Sequence, residues 1–357
     1  MSIIIFIIIL SALVIVHELG HFLVAKKFGI RVDEFGLGLP PRAKELFIWK
    51  NTPFTLNWLP FGGFVKIFGE NPDSSEQSSP DNFQSKNRGI QASVLVAGVV
   101  GNFLFAWLLF TLGFMIGLPA PAGLSLPIQD SHTVITTVLP DSPAYLAGLK
   151  SGDTITALSR GSVHSTLVPE AASQFIAESL EPITFEVERG GQITAKTVVP
   201  EEGIVEGRPA IGISMDTIGI VKLLPHKALW YGLTTTTELT WQTSQAIGTF
   251  IIQAFGGRAD LSSVTGPGGI VGMVGEVREL GFIYLLTFTA LISINLSVIN
   301  LLPFPALDGG RLLFVAIEAV TRRSISARVF NALNTAGFAF LIFLMILITI
   351  RDVRNIF

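Results

Sequence analysis

The chain has 357 residues, of which 49% are hydrophobic and only 14% charged, against about 25% charged in an ordinary soluble domain. That balance excludes a purely soluble protein and points to a membrane protein with some soluble part attached. A net charge of −3 leaves no broad basic field for a nucleic-acid partner, and the absence of cysteine excludes disulfides and thiolate metal sites, so any metal must rest on nitrogen and oxygen.

In chain order, the first apolar run, Ile3 to about Ala25, is long enough to span a bilayer, which takes about 20 residues. It has no Lys or Arg before Lys26 and no small-residue cleavage site after it, so it is not a signal peptide. It ends in "VIVHELGHFLVAKK". The stretch "FTLNWLPFGGFVKIFGE" is apolar and aromatic but cut by Pro60 and Gly62-Gly63. It predicts two short strands with a turn, partly sunk into the membrane. Asn71 to Asn87 predicts a polar, flexible link. A second span covers about Ile90 to Leu118.

From Leu124 to about Pro200 the pattern turns to alternating strands, with a hairpin at Gly190-Gly191 and a short helix opened by Ser142-Pro143-Ala144 and ended by Gly148. "DSPAYLAGLKSGDTITAL", with Pro143, Ala144, Ala147-Gly148-Leu149, Gly152-Asp153 and Ile155, resembles a PDZ domain of the permuted bacterial kind. Such domains take an extended peptide at a sheet edge. His226 to Ala254 is too polar to span and predicts an interfacial amphipathic helix. Two more spans follow, about Gly281 to Leu302 and about Phe330 to Ile350. The expected fold class is a polytopic α-helical membrane protein of about four transmembrane helices, with a membrane-associated β-hairpin at about 31–70 and one inserted α/β PDZ domain. Its expected divisions are 1–118, 119–205, 206–280 and 281–357.

Nine Lys and Arg lie between Lys26 and Arg88, and Arg311, Arg322, Arg323 and Arg328 lie between the last two spans. The positive-inside rule puts both segments in the cytoplasm and 119–280 outside; Arg351 and Arg354 are outvoted.

His17-Glu18-Leu19-Gly20-His21 is an H-E-x-x-H pattern. On a helix both imidazoles share one face, suited to one zinc, with the glutamate placed to work on water. Ionisable groups inside a span are functional by default because their burial is costly. A third ligand must be His, Asp or Glu near another span, and Asp308 in "INLLPFPALDGGRLL" meets that need: Pro303 and Pro305 break the helix, and Gly309-Gly310 allow close approach. The competing reading makes Asp308 a helix N-cap, which leaves zinc two ligands short of a closed site.

With these motifs on the page, the sequence resembles the site-2 protease family of intramembrane zinc metalloproteases, near the bacterial regulator-of-sigma-E proteases. The resemblance rests on HELGH, "FGLGLPPR", "LPFGGFVKIFGE", "VAGVVGNFLFA", "TGPGGIVGM" and "NLLPFPALDGGR" in that order. Arg311 stands where close bacterial relatives often have His, and one PDZ unit stands where some have two. The resemblance implies one Zn2+ per chain on His17, His21 and Asp308, Glu18 as catalytic acid/base, and a substrate-holding segment at Asn300, Pro303 and Pro305. It also implies a multi-pass protein of the bacterial cytoplasmic membrane, with the reaction site towards the cytoplasm and the PDZ unit outside as a filter on substrates with large external domains. The expected substrates are transmembrane proteins or peptides, such as anti-sigma factors or remnant signal peptides. Phe61, Gly62, Gly63 and Phe64 are expected to pair with an unwound substrate strand. The rival readings are an inactive PDZ-bearing membrane scaffold and a proton or ion transporter; the intact motif speaks against the first, and the lack of inverted repeats and further intramembrane acids against the second.

Overall fold

The computed structural model describes residues 1–70, 79–121, 129–205, 207–258 and 265–356. The elements begin with α1 (Ser2–Lys27), β1 (Val32–Trp49), β2 (Thr52–Ile67) and α2 (Arg88–Ile116). Next come β3 (Leu118–Pro121), β4 (Gln129–Val138), α3 (Pro143–Leu146), β5 (Thr154–Arg160), β6 (Val163–His164), α4 (Pro169–Ala177), β7 (Ile183–Arg189) and β8 (Gln192–Val198). The chain continues through β9 (Glu201–Val205), β10 (Arg208–Ala210), β11 (Ile213–Val221), α5 (Pro225–Phe255), α6 (Pro267–Leu280), α7 (Phe282–Leu301), α8 (Asp308–Thr321) and α9 (Ala327–Ile356). They form two compact units: Met1–Leu112 with Leu229–Phe357, and Gly113–Ala228.

Among the described residues four helices are long and apolar enough to cross a membrane: Ser2–Lys27, Arg88–Ile116, Phe282–Leu301 and Ala327–Asp352. These are the four expected spans, with ends shifted by a few residues. The expected interfacial segment is one helix of 31 residues, α5, and is not among the four. Its polar run is accommodated by hydroxyls that turn back onto its own backbone, Thr236 to Gly232, Thr240 to Thr236 and Ser244 to Thr240, each at 2.7 Å. Helix α6 lies where only a connecting segment was expected. Its N-terminus carries no cap of its own; instead Asp352 of α9 accepts hydrogen bonds from the backbone N–H groups of Gly266 and Gly269, at 3.0 and 3.2 Å.

The segment after α1 departs from the expected pair of short strands. Two long strands are bent through shifting register, so that Phe35, Gly36 and Leu37 of β1 pair on one side with Val65, Phe64 and Gly63 and on the other with Phe54, Thr55 and Leu56. The polypeptide bends at Gly62, with φ of +80°. Residues 63–67 therefore form an edge. The sheet is fastened to α1 by aromatic packing: Phe22, fully buried, lies 5.8 Å from Phe35 and 5.4 Å from Phe54 between ring centroids. Of the expected flexible link, residues 71–78 lie outside the described residues, and Phe83–Ser85 forms a turn of 3-10 helix.

In the second unit the sheet order is β3-β11-β4-β5-β7-β8, with β6 on β5, and β9-β10 form a separate ribbon. The hairpin at Gly190-Gly191 joins β7 to β8, and Ser142 caps α3 by accepting from the Tyr145 N–H. The core is built from Ile135, Leu149, Ile155, Leu158, Phe175, Ile183 and Phe185. Strand continues beyond 205, where the sequence reading ended this unit: β11 inserts between β3 and β4, and its alternation is broken by register shifts between Ser214 and Met215 and between Ile218 and Ile220. The expected beginning of the β region at Leu124 lies outside the described residues.

Candidate metal centre

The spacing of His17 and His21 puts both rings on the face of α1 that meets α2. That crossing is close because glycines line it. A Cβ on Gly20 would run into the Ala97 carbonyl, and one on Gly101 would lie 2.9 Å from the Val16 carbonyl. Gly98 matters most, since a Cβ there would fall on the His21 and His17 rings. The glycine is the space in which the imidazoles sit.

Asp308 arrives from the far end of the chain. Helix α7 stops at Leu301, and Pro303 and Pro305 carry the backbone through an irregular turn to Asp308, the first residue of α8. The turn includes Ala306 at φ +76°, whose N–H donates to Asn334 Oδ1 at 3.0 Å. Cβ atoms on Gly309 and Gly310 would strike the carbonyls of Leu301, Leu302 and Phe304, so only glycine lets α8 fold back this tightly onto the end of α7. Asp308 does not cap its own helix: Leu307 is the N-cap and no side chain caps there.

Instead the carboxylate turns to the histidines. Asp308 Oδ2 lies 2.9 Å from His17 Nε2 and 3.3 Å from His21 Nε2, and the two Nε2 atoms are 3.2 Å apart. Donor atoms of these three residues all fall within 4.8 Å of one another. Both histidines are buried and the Asp308 side chain is 18% exposed. His21 Nδ1 is 2.7 Å from the Val94 carbonyl. A carbonyl only accepts, so Nδ1 carries the proton and Nε2 presents a lone pair. Asp308 Oδ2 is buried with no hydrogen-bond partner. Lone pairs of two imidazoles and a carboxylate directed at one point make a donor set for a cation, and two nitrogens with one oxygen suit zinc while leaving a position for water. Glu18, on the same turn, is in electrostatic reach of His21, His17, Asp308 and Glu70.

The model of peptidase family M50 matches residues 5–344. The chain belongs to peptidase family M50. M50 relatives cover it end to end. A candidate zinc metalloprotease of Clostridium perfringens is 35% identical over 96% of both chains. The zinc metalloprotease RasP of Geobacillus kaustophilus is 29% identical over 100% of this chain and 98% of its own. The chloroplastic membrane metalloprotease ARASP of Arabidopsis thaliana is 30% identical over 98% of this chain and 78% of its own. This M50 chain is accordingly a site-2 type zinc metalloprotease, with zinc as its cofactor and four helices fit to span a membrane.

The structure brings together His17, His21 and Asp308, with Glu18 beside them. The expected substrate-holding residues are outside the donor set. Asn300 is half-buried near the end of α7, and Pro303 and Pro305 form the turn that follows. Gly62, Gly63 and Phe64 lie in β2, where a Cβ on Gly63 would be 3.6 Å from Val14, one turn before His17. Phe61 is in the same strand, and its side chain is outside the described residues. The sequence reading missed Gly98, the Val94 carbonyl, and the Glu70–Arg311 ion pair, which links the end of the β segment to α8. For Gly98 the available signal was its place beside Gly101 in an apolar span. Val94 offers only backbone and leaves no signal in a side-chain pattern.

Proposed function

We propose that the chain is an intramembrane endopeptidase that cuts transmembrane segments, with His17, His21 and Asp308 holding the metal and Glu18 as acid/base. The observation that carries this reading is the convergence of two Nε2 atoms and one carboxylate oxygen beside a glutamate on the same helical turn. When bound there, zinc supplies Lewis-acid activation of water and stabilises charge that develops on the scissile carbonyl oxygen. Glu18 accepts the proton from water and returns it to the leaving amine. Gly309 and Gly310 let the start of α8 pack on the end of α7, with the Asp308 carboxylate against the two histidines.

A helical substrate must unwind before its peptide bond can be attacked, and each backbone group it frees in hydrocarbon costs several kcal/mol. Residues 63–67 of β2, including Gly63 and Phe64 and preceded by Phe61 and the bend at Gly62, offer an edge to which an extended substrate can add as a strand. Asn300 offers an amide to the same backbone. Pro303 and Pro305, having no N–H, end α7 directly after Asn300.

The unit Gly113–Ala228 is read as a PDZ domain, supported by the short capped helix and by Gly148 and Gly152, both at positive φ, before a buried Asp153. It would act on the outer face of a bacterial cytoplasmic membrane as a filter on external domains, while the reaction centre faces the cytoplasm.

The decisive experiment is zinc analysis with cleavage of a model transmembrane substrate, comparing the wild type with Glu18→Gln. The variant should keep its zinc and lose about 10²–10⁴-fold in rate. Equal cleavage by both forms defeats the reading.

A further inference from the structure

We infer that Asn102 is a positioning residue for the metal centre, fixing the tautomer and ring orientation of His17 through its side-chain oxygen. The inference rests on the reading of His17 as a metal ligand and deepens it.

Asn102 lies in the middle of α2 and is fully buried. An amide carries two donors and an acceptor and is costly to bury without partners. Its nitrogen lies 3.4 Å from His17 Nδ1, and its oxygen is buried with no partner at all. His17 presents Nε2 to Asp308 at 2.9 Å and to His21 Nε2 at 3.2 Å. To serve a metal, Nε2 must hold a lone pair, so the proton of the neutral ring belongs on Nδ1. An N–H at that position needs an acceptor, and an amide nitrogen is not one. A half-turn of the carboxamide exchanges nitrogen for oxygen. Oδ1 then accepts from His17 Nδ1–H, and the orphaned oxygen acquires its partner.

The result is a symmetry of support that the H-E-x-x-H spacing alone does not disclose. Both imidazoles lean on α2, His21 on the Val94 carbonyl and His17 on the Asn102 amide, eight residues and about two turns further along. Each outer contact orients a ring and raises the basicity of the nitrogen that faces the metal. The Ser293 hydroxyl of α7 donates to the main-chain carbonyl of the same residue at 2.8 Å, a contact that does not involve the carboxamide.

The test is zinc affinity of the purified full chain, measured by competition with a chromogenic chelator, for four variants. Asn102→Leu keeps the branched heavy-atom skeleton and removes the acceptor, and should weaken zinc binding about 10–100-fold, the usual cost of losing such an outer contact. Asn102→Asp keeps an acceptor at the same position and should bind zinc at least as tightly as the wild type. Ser293→Ala disturbs the same helix contact without touching the ring and should leave affinity unchanged. His17→Ala should lose zinc altogether. Wild-type affinity in Asn102→Leu, an Asp variant as weak as the Leu variant, or an equal loss in Ser293→Ala would each overturn the role given to Asn102. If His17→Ala retained zinc, the ligand assignment itself would be at fault, a distinct failure.

Discussion

His21 Nδ1 donates to the main-chain carbonyl of Val94 across 2.7 Å, joining the first span to the second at the metal centre. This bond leaves His21 Nε2 as the nitrogen that faces Asp308. Because the partner is a carbonyl, the proton cannot be placed the other way round.

The three-residue donor set has a direct consequence for metal content. Alanine at His17, His21 or Asp308 leaves two protein ligands, and each variant should be purified with far less than one zinc per chain. A chelator should abolish cleavage by the wild type, and added zinc should restore it. Affinity should also fall on acidification, because imidazole and carboxylate bind metal only when deprotonated. Full zinc occupancy in Asp308→Ala would remove Asp308 from the set.

Gly98 should tolerate no side chain. A methyl group there meets the His21 and His17 rings, and displacement of a ligand by about 1 Å can cost about 100-fold in rate. We expect Gly98→Ala to lose zinc and cleavage together. Gly275→Ala is the control: its added carbon meets only the Ser2 hydroxyl, at 3.1 Å, far from the histidines. Normal metal content in Gly98→Ala would show that α2 has room to withdraw.

The β segment should loosen in acid. Burial alone would raise the Glu34 carboxyl, but hydrogen bonds from Arg42 and Thr55 outweigh it and hold it below the usual carboxylate range. A depressed carboxylate stabilises the fold above its unfolded value, and that contribution disappears as pH falls through the folded one. Limited proteolysis within residues 32–67 should therefore accelerate in moderate acid in the wild type. Glu34→Gln should be cleaved faster at neutral pH and show less change on acidification. Identical pH profiles would mean that Glu34 plays no part.

In the second unit Asp153 is the polar keystone. Its side chain is 1% exposed, and it accepts from Arg189 Nε and Nη2 at 2.6 and 2.7 Å and from the Lys150 N–H at 2.9 Å. The same contact pushes the Arg189 guanidinium pKa up. Asp153→Ala leaves the loop N–H without its acceptor and releases a guanidinium that water can reach, and should cost about 1–2 kcal/mol, read as a lower thermal midpoint for loss of protease resistance in residues 113–228. An unchanged midpoint would assign the loop's stability to the Leu149 and Ile155 packing instead.

The spans were legible because each is a continuous apolar run that announces itself without help from elsewhere in the chain. His17, Glu18, His21 and Asp308 were legible because ionisable groups stand out in such a background. What the residues did not disclose depends on tertiary contact. Helix α6 begins at a Gly-Pro-Gly-Gly run whose cap is 86 residues away in sequence, at Asp352. The double-sided pairing of Phe35 to Leu37 comes from register shifts that no alternation of apolar and polar residues encodes. Asn102 looked like one more residue of a span until the His17 ring gave its amide a direction.

The distance along the chain between His21 and Asp308 has a bearing on biosynthesis. On the proposed ligand assignment the first two donors are made with α1, and the third only after α7 and the proline turn that follows it. A nascent chain with two imidazoles is a poor zinc site. With His17, His21 and Asp308 as the proposed donors, the site therefore stays incomplete until α8 has been made.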